Sequence, residues 1–226
     1  MKKFIKQKLN ESLVFELIET MLDEDYPTSW NIEEFKKLTS FNARIKYCEE
    51  HLQRISSGSS RIVYKIDNEK VLKLAKNKKG LAQNEVEIEY SKEPHLDDVL
   101  AKIYEYEENN LWVEMELAKK MRVADFERII GFKFKDYVIG VHNYGVDANI
   151  NPRDRSSKYD IDEELTEAMW DDEFICGMFQ YIGNYGIPVG DLKRSNTYGI
   201  VKGDGEERIV VIDYGLSSDV YTSYYS

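Results

Sequence analysis

The chain predicts an α+β fold. A small antiparallel sheet with one helix set into it leads to a mainly helical half that closes on a hairpin, and a helical extension precedes the sheet. Three observations predict it. Helical spacing of apolar residues fills much of 11–52. Alternation of apolar and polar residues dominates 61–75 and 99–118, with a helical window between them. Three- and four-residue spacing then returns from 123 to 186, before two last short alternating runs.

In chain order, Leu13, Phe15, Leu17, Ile18, Met21 and Leu22 lie on one face of a helix over 11–23, which the run Asp-Glu-Asp-Tyr-Pro ends. Further helices are expected over 32–38 and 41–52, the latter with Phe41, Ile45 and Cys48 on one side. RIVYKI and KVLKLA are rich in β-branched and aromatic residues and flank Asp67-Asn68, so they form a hairpin. Gly80 punctuates, and 81–93 follows as a helix. Two strands turn around Asn109-Asn110. VADFERII and KDYVIGVHNYG are helical, whereas 147–160 concentrates turn formers and charge and is expected to be a mobile loop. One long helix with an acidic first turn is expected over 162–186, and strands TYGIV and RIVVID close around 202–207.

Composition narrows the function. With 226 residues, 42% of them apolar, there is ample material for a core. Thirty-one basic against 42 acidic residues give a net charge of −11, which disfavours nucleic acid and anionic membrane as partners; any polyanion must be held locally. Cys48 and Cys176 have neither disulfide-framework nor zinc spacing. The first twenty-odd residues lack the unbroken apolar core of a signal peptide, and no run approaches the roughly 18 apolar residues of a membrane span. A cytoplasmic protein is expected.

Four stretches carry residues that a plain fold does not call for. In ISSGSSRIVYKI, Ser57, Gly58 and Ser59 form a turn ahead of Val63. Lys73 lies ten residues after Val63 in the middle of an apolar strand, and a buried ammonium needs a partner. Glu85, Glu87 and Glu89 on the next helix cannot share one face; Glu87, stacked over Gln83 and Asn84, is preferred, with Glu85 the alternative. LWVEMELA places Met115, Glu116 and Ala118 at a strand end. GDLKRSN sets Asp191 five positions before Asn196 with Lys193 between, and Asp213-Tyr214-Gly215 ends an apolar strand seventeen residues beyond Asn196.

Together these stretches resemble the protein kinase superfamily, including its aminoglycoside-phosphotransferase-like branch, over 54–216, and also resemble small kinase-like proteins encoded by bacteriophages. The resemblance implies a bilobal kinase-like fold: an N-terminal helical extension over 1–53, an N-lobe over 54–117 and a truncated helical C-lobe with the catalytic loop and metal-binding hairpin over 118–226. It implies ATP and Mg²⁺ as cofactors. Ser57, Gly58, Ser59 and Val63 would cover the nucleotide, Lys73 would restrain its non-transferring phosphates while paired with Glu87, and Met115 would act as gatekeeper. Glu116 to Ala118 would offer backbone groups to the adenine. Asp191 would orient or deprotonate the accepting hydroxyl, Lys193 would sit near the transferred phosphate, and Asn196 and Asp213 would ligate Mg²⁺.

The chain also departs from the family pattern. Ser56 and Arg61 stand at two of the three loop-glycine positions, and Val189 and Gly190 replace the usual histidine and arginine before the catalytic aspartate. Eleven residues follow Gly215, too few for an activation segment or a peptide-docking platform, so the N-terminal helices are expected to pack in and replace what is missing. The tail LSSDVYTSYYS offers eight hydroxyls as targets for self-modification. The expected activity is Mg-dependent phosphoryl transfer from ATP to a hydroxyl of a small molecule or a protein, a host protein among the latter. The alternatives are a pseudokinase that binds nucleotide or partners without transfer, and an enzyme that transfers AMP to a protein.

Overall fold

Asn31 and Ser40 are strong helix starters, because each side chain accepts hydrogen bonds from backbone N–H groups that the first helical turn leaves unpaired. They open α1 (Ile32–Lys36) and α2 (Phe41–His51). The structure, a computed structural model, describes residues 29–150, 157–203 and 205–225. The helix expected over 11–23 and the centre of the loop expected over 147–160 lie outside the described residues.

The sheet that follows has five antiparallel strands: β1 (Gln53–Ser57), β2 (Arg61–Lys65), β3 (Lys70–Ala75), β4 (Ile103–Tyr106) and β5 (Trp112–Glu116), in the spatial order β1-β2-β3-β5-β4. Strand β1 was not expected; all five of its residues are exposed, so no alternation marks it. The sheet is covered on both faces, and alternation decides which residue meets which cover. Ile62, Tyr64, Leu72, Leu74 and Trp112 point to one side and join Phe35 and Cys48 in a core under α1 and α2. Val63, Val71 and Met115 point to the other side and belong to the main core. Lys73 lies between Val63 and Val113 in the pairing, at the centre of the sheet.

The described N-terminal helices therefore cover the outer face of the sheet. Their attachment is specific. Arg44 makes a two-pronged contact with Glu107, both distances 2.9 Å, Lys36 pairs with Glu105, and the Phe35 ring meets Trp112 edge-on at 5.9 Å.

On the inner face lies α3 (Lys78–Tyr90), whose N-terminus is capped by Asn77. Beyond β5, β6 (Lys119–Lys120) leads to α4 (Val123–Ile130), α5 (Phe134–Asp147), α6 (Glu163–Asp171) and α7 (Glu173–Tyr185). The single helix expected over 162–186 is thus two. Asp172 leaves the helical region (φ −79°, ψ 127°) and its carboxylate accepts from Ile175 N at 2.9 Å, restarting the chain as a fresh N-cap. The short helix α8 (Val189–Leu192) precedes β7 (Tyr198–Gly203) and β8 (Glu206–Val211), which form a three-stranded sheet in the order β6-β7-β8. The tail forms α9 (Ser218–Tyr225): Val220 is buried in the main core and Ser218 Oγ donates to Gly186 O at 2.5 Å. The molecule is a mixed α+β protein with a small antiparallel sheet and helices. Among the described residues, no helix is long and apolar enough to cross a membrane.

Candidate functional site

The backbone of GDLKRSN is set by hydroxyls that follow it in the chain. Thr197 Oγ1 donates to Asp191 O at 2.7 Å, Tyr198 Oη donates to Leu192 O at 2.6 Å, and Arg194 N reaches Asp191 O at 3.0 Å. The stretch is therefore a helical turn followed by a 3-10 turn over Ser195–Thr197, where the sequence suggests an open loop. Tyr198 is held in turn by Tyr137, the two hydroxyl oxygens 2.9 Å apart; since Tyr198 gives its proton to Leu192 O, Tyr137 is the donor between them. Burial pushes both phenols well above the ordinary tyrosine range, so both keep their protons.

Strand β8 delivers Asp213 from the other direction. Val211 is fully buried and locked to the chain beside it, its N–H donating to Val99 O at 2.8 Å and its carbonyl accepting from Ala101 N at 3.0 Å. Tyr214 Oη donates to Ala101 O at 2.9 Å. Gly215 then passes so close to α3 that a Cβ there would sit 2.6 Å from Gln83 O, which only glycine permits. Helix α3 and the Asp213 turn are in direct contact for that reason.

These elements enclose a cleft of about 580 Å³. Its walls bring together Gly58, Ser59 and Val63 from the first hairpin, Lys73 from β3, Met115, Glu116, Leu117 and Ala118 from the end of β5, and Asn196 and Asp213 from the second half. Of the expected site residues, Ser57, Glu87, Asp191 and Lys193 do not line it. Ser56 and Ser60 take the wall beside Gly58 where Ser57 was expected. A second groove of about 610 Å³ on the far side of 116–118 shares those three residues, but not Lys73, Asn196 or Asp213.

The turn at Gly58 is tied down from below. Gly58 N donates to Arg61 O at 2.9 Å, Lys76 Nζ donates to Gly58 O at 2.9 Å, and Asn77 Nδ2 donates to Ser59 O at 3.1 Å. Ser60 Oγ reaches Gln83 on α3 at 2.5 Å.

Electrostatically, the centre of the site is a chain of four charged side chains. Lys73 Nζ lies 2.8 Å from Glu87 Oε1 and donates to Ile212 O at 2.6 Å. Glu87 has no exposed surface and is the glutamate of its helix that faces inward, while Glu85 and Glu89 are exposed. Its second oxygen lies 2.8 Å from Arg61 Nη1, and Arg61 Nη2 reaches Asp213 Oδ1 at 2.5 Å. Burial pulls the Lys73 pKa down, and the neighbouring Arg61 adds to this; Glu87 offsets only part. For Arg61 burial also acts downward, but Glu87 and Asp213 together raise its pKa above the ordinary value. The Asp213 side chain is 65% exposed and faces the cleft. The desolvation that does act on it, upward, is outweighed by Arg61 and Lys73, which hold its carboxyl below the usual range.

Asp191 and Lys193 have partners outside the cleft wall. Asp191 Oδ1 lies 3.2 Å from Arg194 Nη1. Lys193 Nζ lies 3.3 Å from Nδ1 of His142, a buried ring whose Nε2 is 3.2 Å from Ser157 O. The lysine can give its proton only if Nδ1 is unprotonated, so Nε2 carries the ring hydrogen and donates to Ser157. His142 has no signal in the sequence, because a lone histidine on an amphipathic helix indicates nothing by itself, and Arg61 is marked there only as the residue at a loop-glycine position.

A magnesium ion takes carboxylate, amide-carbonyl and water oxygens. Asn196 and Asp213 offer one amide and one carboxylate to the cleft, but the carboxylate is already engaged by Arg61. Among the described residues, no three His, Cys, Asp or Glu side chains gather to hold a metal. In this arrangement a divalent ion would compete with the Arg61 guanidinium, which already occupies Asp213 Oδ1.

No protein-family profile matches the chain, and no curated protein matches it in sequence. Among solved structures it is similar to the streptomycin–ATP ternary complex of APH(2″)-IIa, with 14% identity and a TM-score of 0.36 over 79% of this chain and 72% of that one. It is also similar to the GDP and kanamycin complex of APH(2″)-IIIa, with 12% identity and a TM-score of 0.36 over 74% of this chain and 67% of that one.

Proposed function

We propose that the cleft binds ATP and that the protein transfers its terminal phosphoryl group to a hydroxyl of a small molecule or a protein. One observation carries the reading: Lys73, Asn196 and Asp213, far apart in the sequence, line one cleft whose remaining walls are the Gly58 turn and the segment 115–118. Phosphoryl transfer needs positioning and charge neutralisation more than covalent help from the protein, and this is what such a cleft supplies. The adenine lies against Val63 and Met115 and takes a hydrogen bond from Ala118, since the N–H of Leu117 is given to Glu69 O at 2.7 Å. Lys73, oriented by Glu87, holds the non-transferring phosphates, and Asn196 and Asp213 face the phosphate end. Asp191 accepts the proton of the attacking hydroxyl once the acceptor displaces its Arg194 contact, the bond between the terminal phosphorus and the β–γ bridging oxygen breaks so that ADP leaves, and Lys193, steadied by His142, meets the charge on the transferred group.

A second reading, a nucleotide-binding module without transfer, is favoured by the position of Asp191, which does not line the cleft and lies 3.2 Å from Arg194. Thermal shift and intact mass separate the two. ATP is expected to raise the melting temperature by linkage, about 2.7 kcal/mol at a hundredfold excess over Kd. Incubation of the full chain with labelled ATP and hydroxyl acceptors is expected to yield a phosphorylated product. Asp191→Ala should keep the thermal shift and lower transfer by about 10²–10⁴-fold. A shift without any transfer leaves the binding module standing; no shift at saturating ATP sinks both readings. Transfer of AMP would appear in the same mass measurement as a heavier adduct.

A further inference from the structure

We infer that Arg61 is a phosphate-binding cation of this cleft, with Glu87 as its anchor and Asp213 as the partner it exchanges for phosphate, and that polyphosphate binds there without a divalent metal ion. The inference rests on the nucleotide reading above and narrows it to a metal-independent site.

The charges around Arg61 are already paired with one another. Glu87 is fully buried and sits between two cations, Lys73 Nζ at 2.8 Å from one oxygen and Arg61 Nη1 at 2.8 Å from the other. Arg61 Nη2 spans onward to Asp213 Oδ1 at 2.5 Å, and Nη1 also reaches Asn84 Oδ1 at 3.3 Å. Two positive and two negative groups thus form one linear chain from Lys73 to Asp213. A divalent ion at Asp213 has to share the carboxylate with the guanidinium, which holds Oδ1. The guanidinium cannot simply withdraw into water, because its side chain is 8% exposed and its other partner is the buried Glu87. The ion would therefore stand beside an arginine that stays where it is, and like charges at ion-pair distance repel.

An anionic ligand meets the opposite situation. Arg61, Lys73 and Lys120 all line the cleft, and of the carboxylates on its wall Glu116 is paired with Arg208 at 3.0 Å and Asp213 with Arg61 itself. In a chain of net charge −11 this is a local positive wall. A guanidinium presents its N–H groups as a planar fork that matches phosphate oxygens, and Asp213, whose side chain is largely exposed, can yield to a phosphate more easily than Glu87 can. The position matters as well: Arg61 stands two residues before Val63 on the strand that roofs the cleft, so its fork reaches in from the side of the Gly58 turn.

The test is the affinity of the full-length protein for ATP and for inorganic tripolyphosphate, by calorimetry, in excess EDTA and in excess Mg²⁺. The expected result is affinities that agree within about threefold between the two conditions. Arg61→Gly should weaken binding in EDTA by at least about tenfold and recover part of it in Mg²⁺, because Asp213 is then released to the ion. Arg61→Lys, which keeps the charge and guards against a folding artefact, should retain most of the EDTA affinity. Binding that appears only with Mg²⁺ in the wild type overturns the inference and leaves the nucleotide reading intact. Metal-free binding of tripolyphosphate with no preference for ATP keeps the inference and removes the nucleotide reading. Absence of binding by either ligand in either condition overturns both.

Discussion

Glu87 carries more of the site than any other single side chain, and its environment says what its loss would do. Removing one member of a buried charge pair leaves the partner uncompensated, at about 3–5 kcal/mol. Here two cations, Lys73 and Arg61, would be stranded. Glu87→Ala is therefore expected to lower the unfolding free energy by about 3–5 kcal/mol, read from urea midpoints. Asp213→Ala should do far less, because that side chain is 65% exposed and Arg61 keeps Glu87. Equal losses from the two would contradict the burial argument. The Lys73–Glu87 contact was legible in the sequence for a physical reason: an ammonium in the middle of an apolar strand demands a carboxylate, and Glu87 shares a helix face with the inward Gln83 and Asn84. The position of Arg61 was not legible. An arginine at the first residue of a strand reads as solvent-exposed, and only the fold shows that α3 and the Asp213 turn converge on it.

At the scale of elements, helix α4 shows how a short helix is held by its own first turn. Asp125 accepts from the backbone N–H of Arg122 at 3.0 Å and from its guanidinium at 2.9 Å, while Arg128 lies 3.7 Å away. The side-chain bond from Arg122 leads, the backbone bond follows, and together they hold the Asp125 carboxyl down at about 2. A carboxylate whose pKa is lowered on folding adds stability that is complete above its unfolded value of about 3.9, and loses it as pH falls through the folded value. The stability gap between the wild type and Asp125→Asn should therefore be constant from neutral pH down to about 5 and narrow progressively toward pH 2. A gap that stays constant down to that pH would show that the carboxylate charge has no part in it. Strands β2, β3 and β5 were legible because each is apolar and β-branched or aromatic. Strand β1 was not, since an exposed edge needs no pattern, and the break at Asp172 was hidden because apolar spacing runs on across it while a second aspartate supplies the new cap.

For the molecule as a whole, the sequence announced that apolar faces exist but not which of them meet. Helices α1 and α2 close the outer face of the sheet, and α9 closes the space beside Gly186 where the tail had suggested only a run of hydroxyls. An amphipathic stripe identifies a buried face; the identity of its partner is a property of the assembled layers. Strand β3 stands between both cores, and its side chains work as a two-letter frame: Leu72 and Leu74 are read by the outer layer, Val71 and Lys73 by the inner one. Loss of a single residue inside that strand would transpose the frame, turning a leucine into the cleft and the ammonium into the aromatic layer under Phe35. An extra residue in the exposed turn at Asn68-Glu69 leaves the frame in phase. Deletion of Leu72 is thus expected to abolish soluble folded protein, whereas a glycine inserted after Asn68 should shift the thermal midpoint by only a few degrees, as circular dichroism would record.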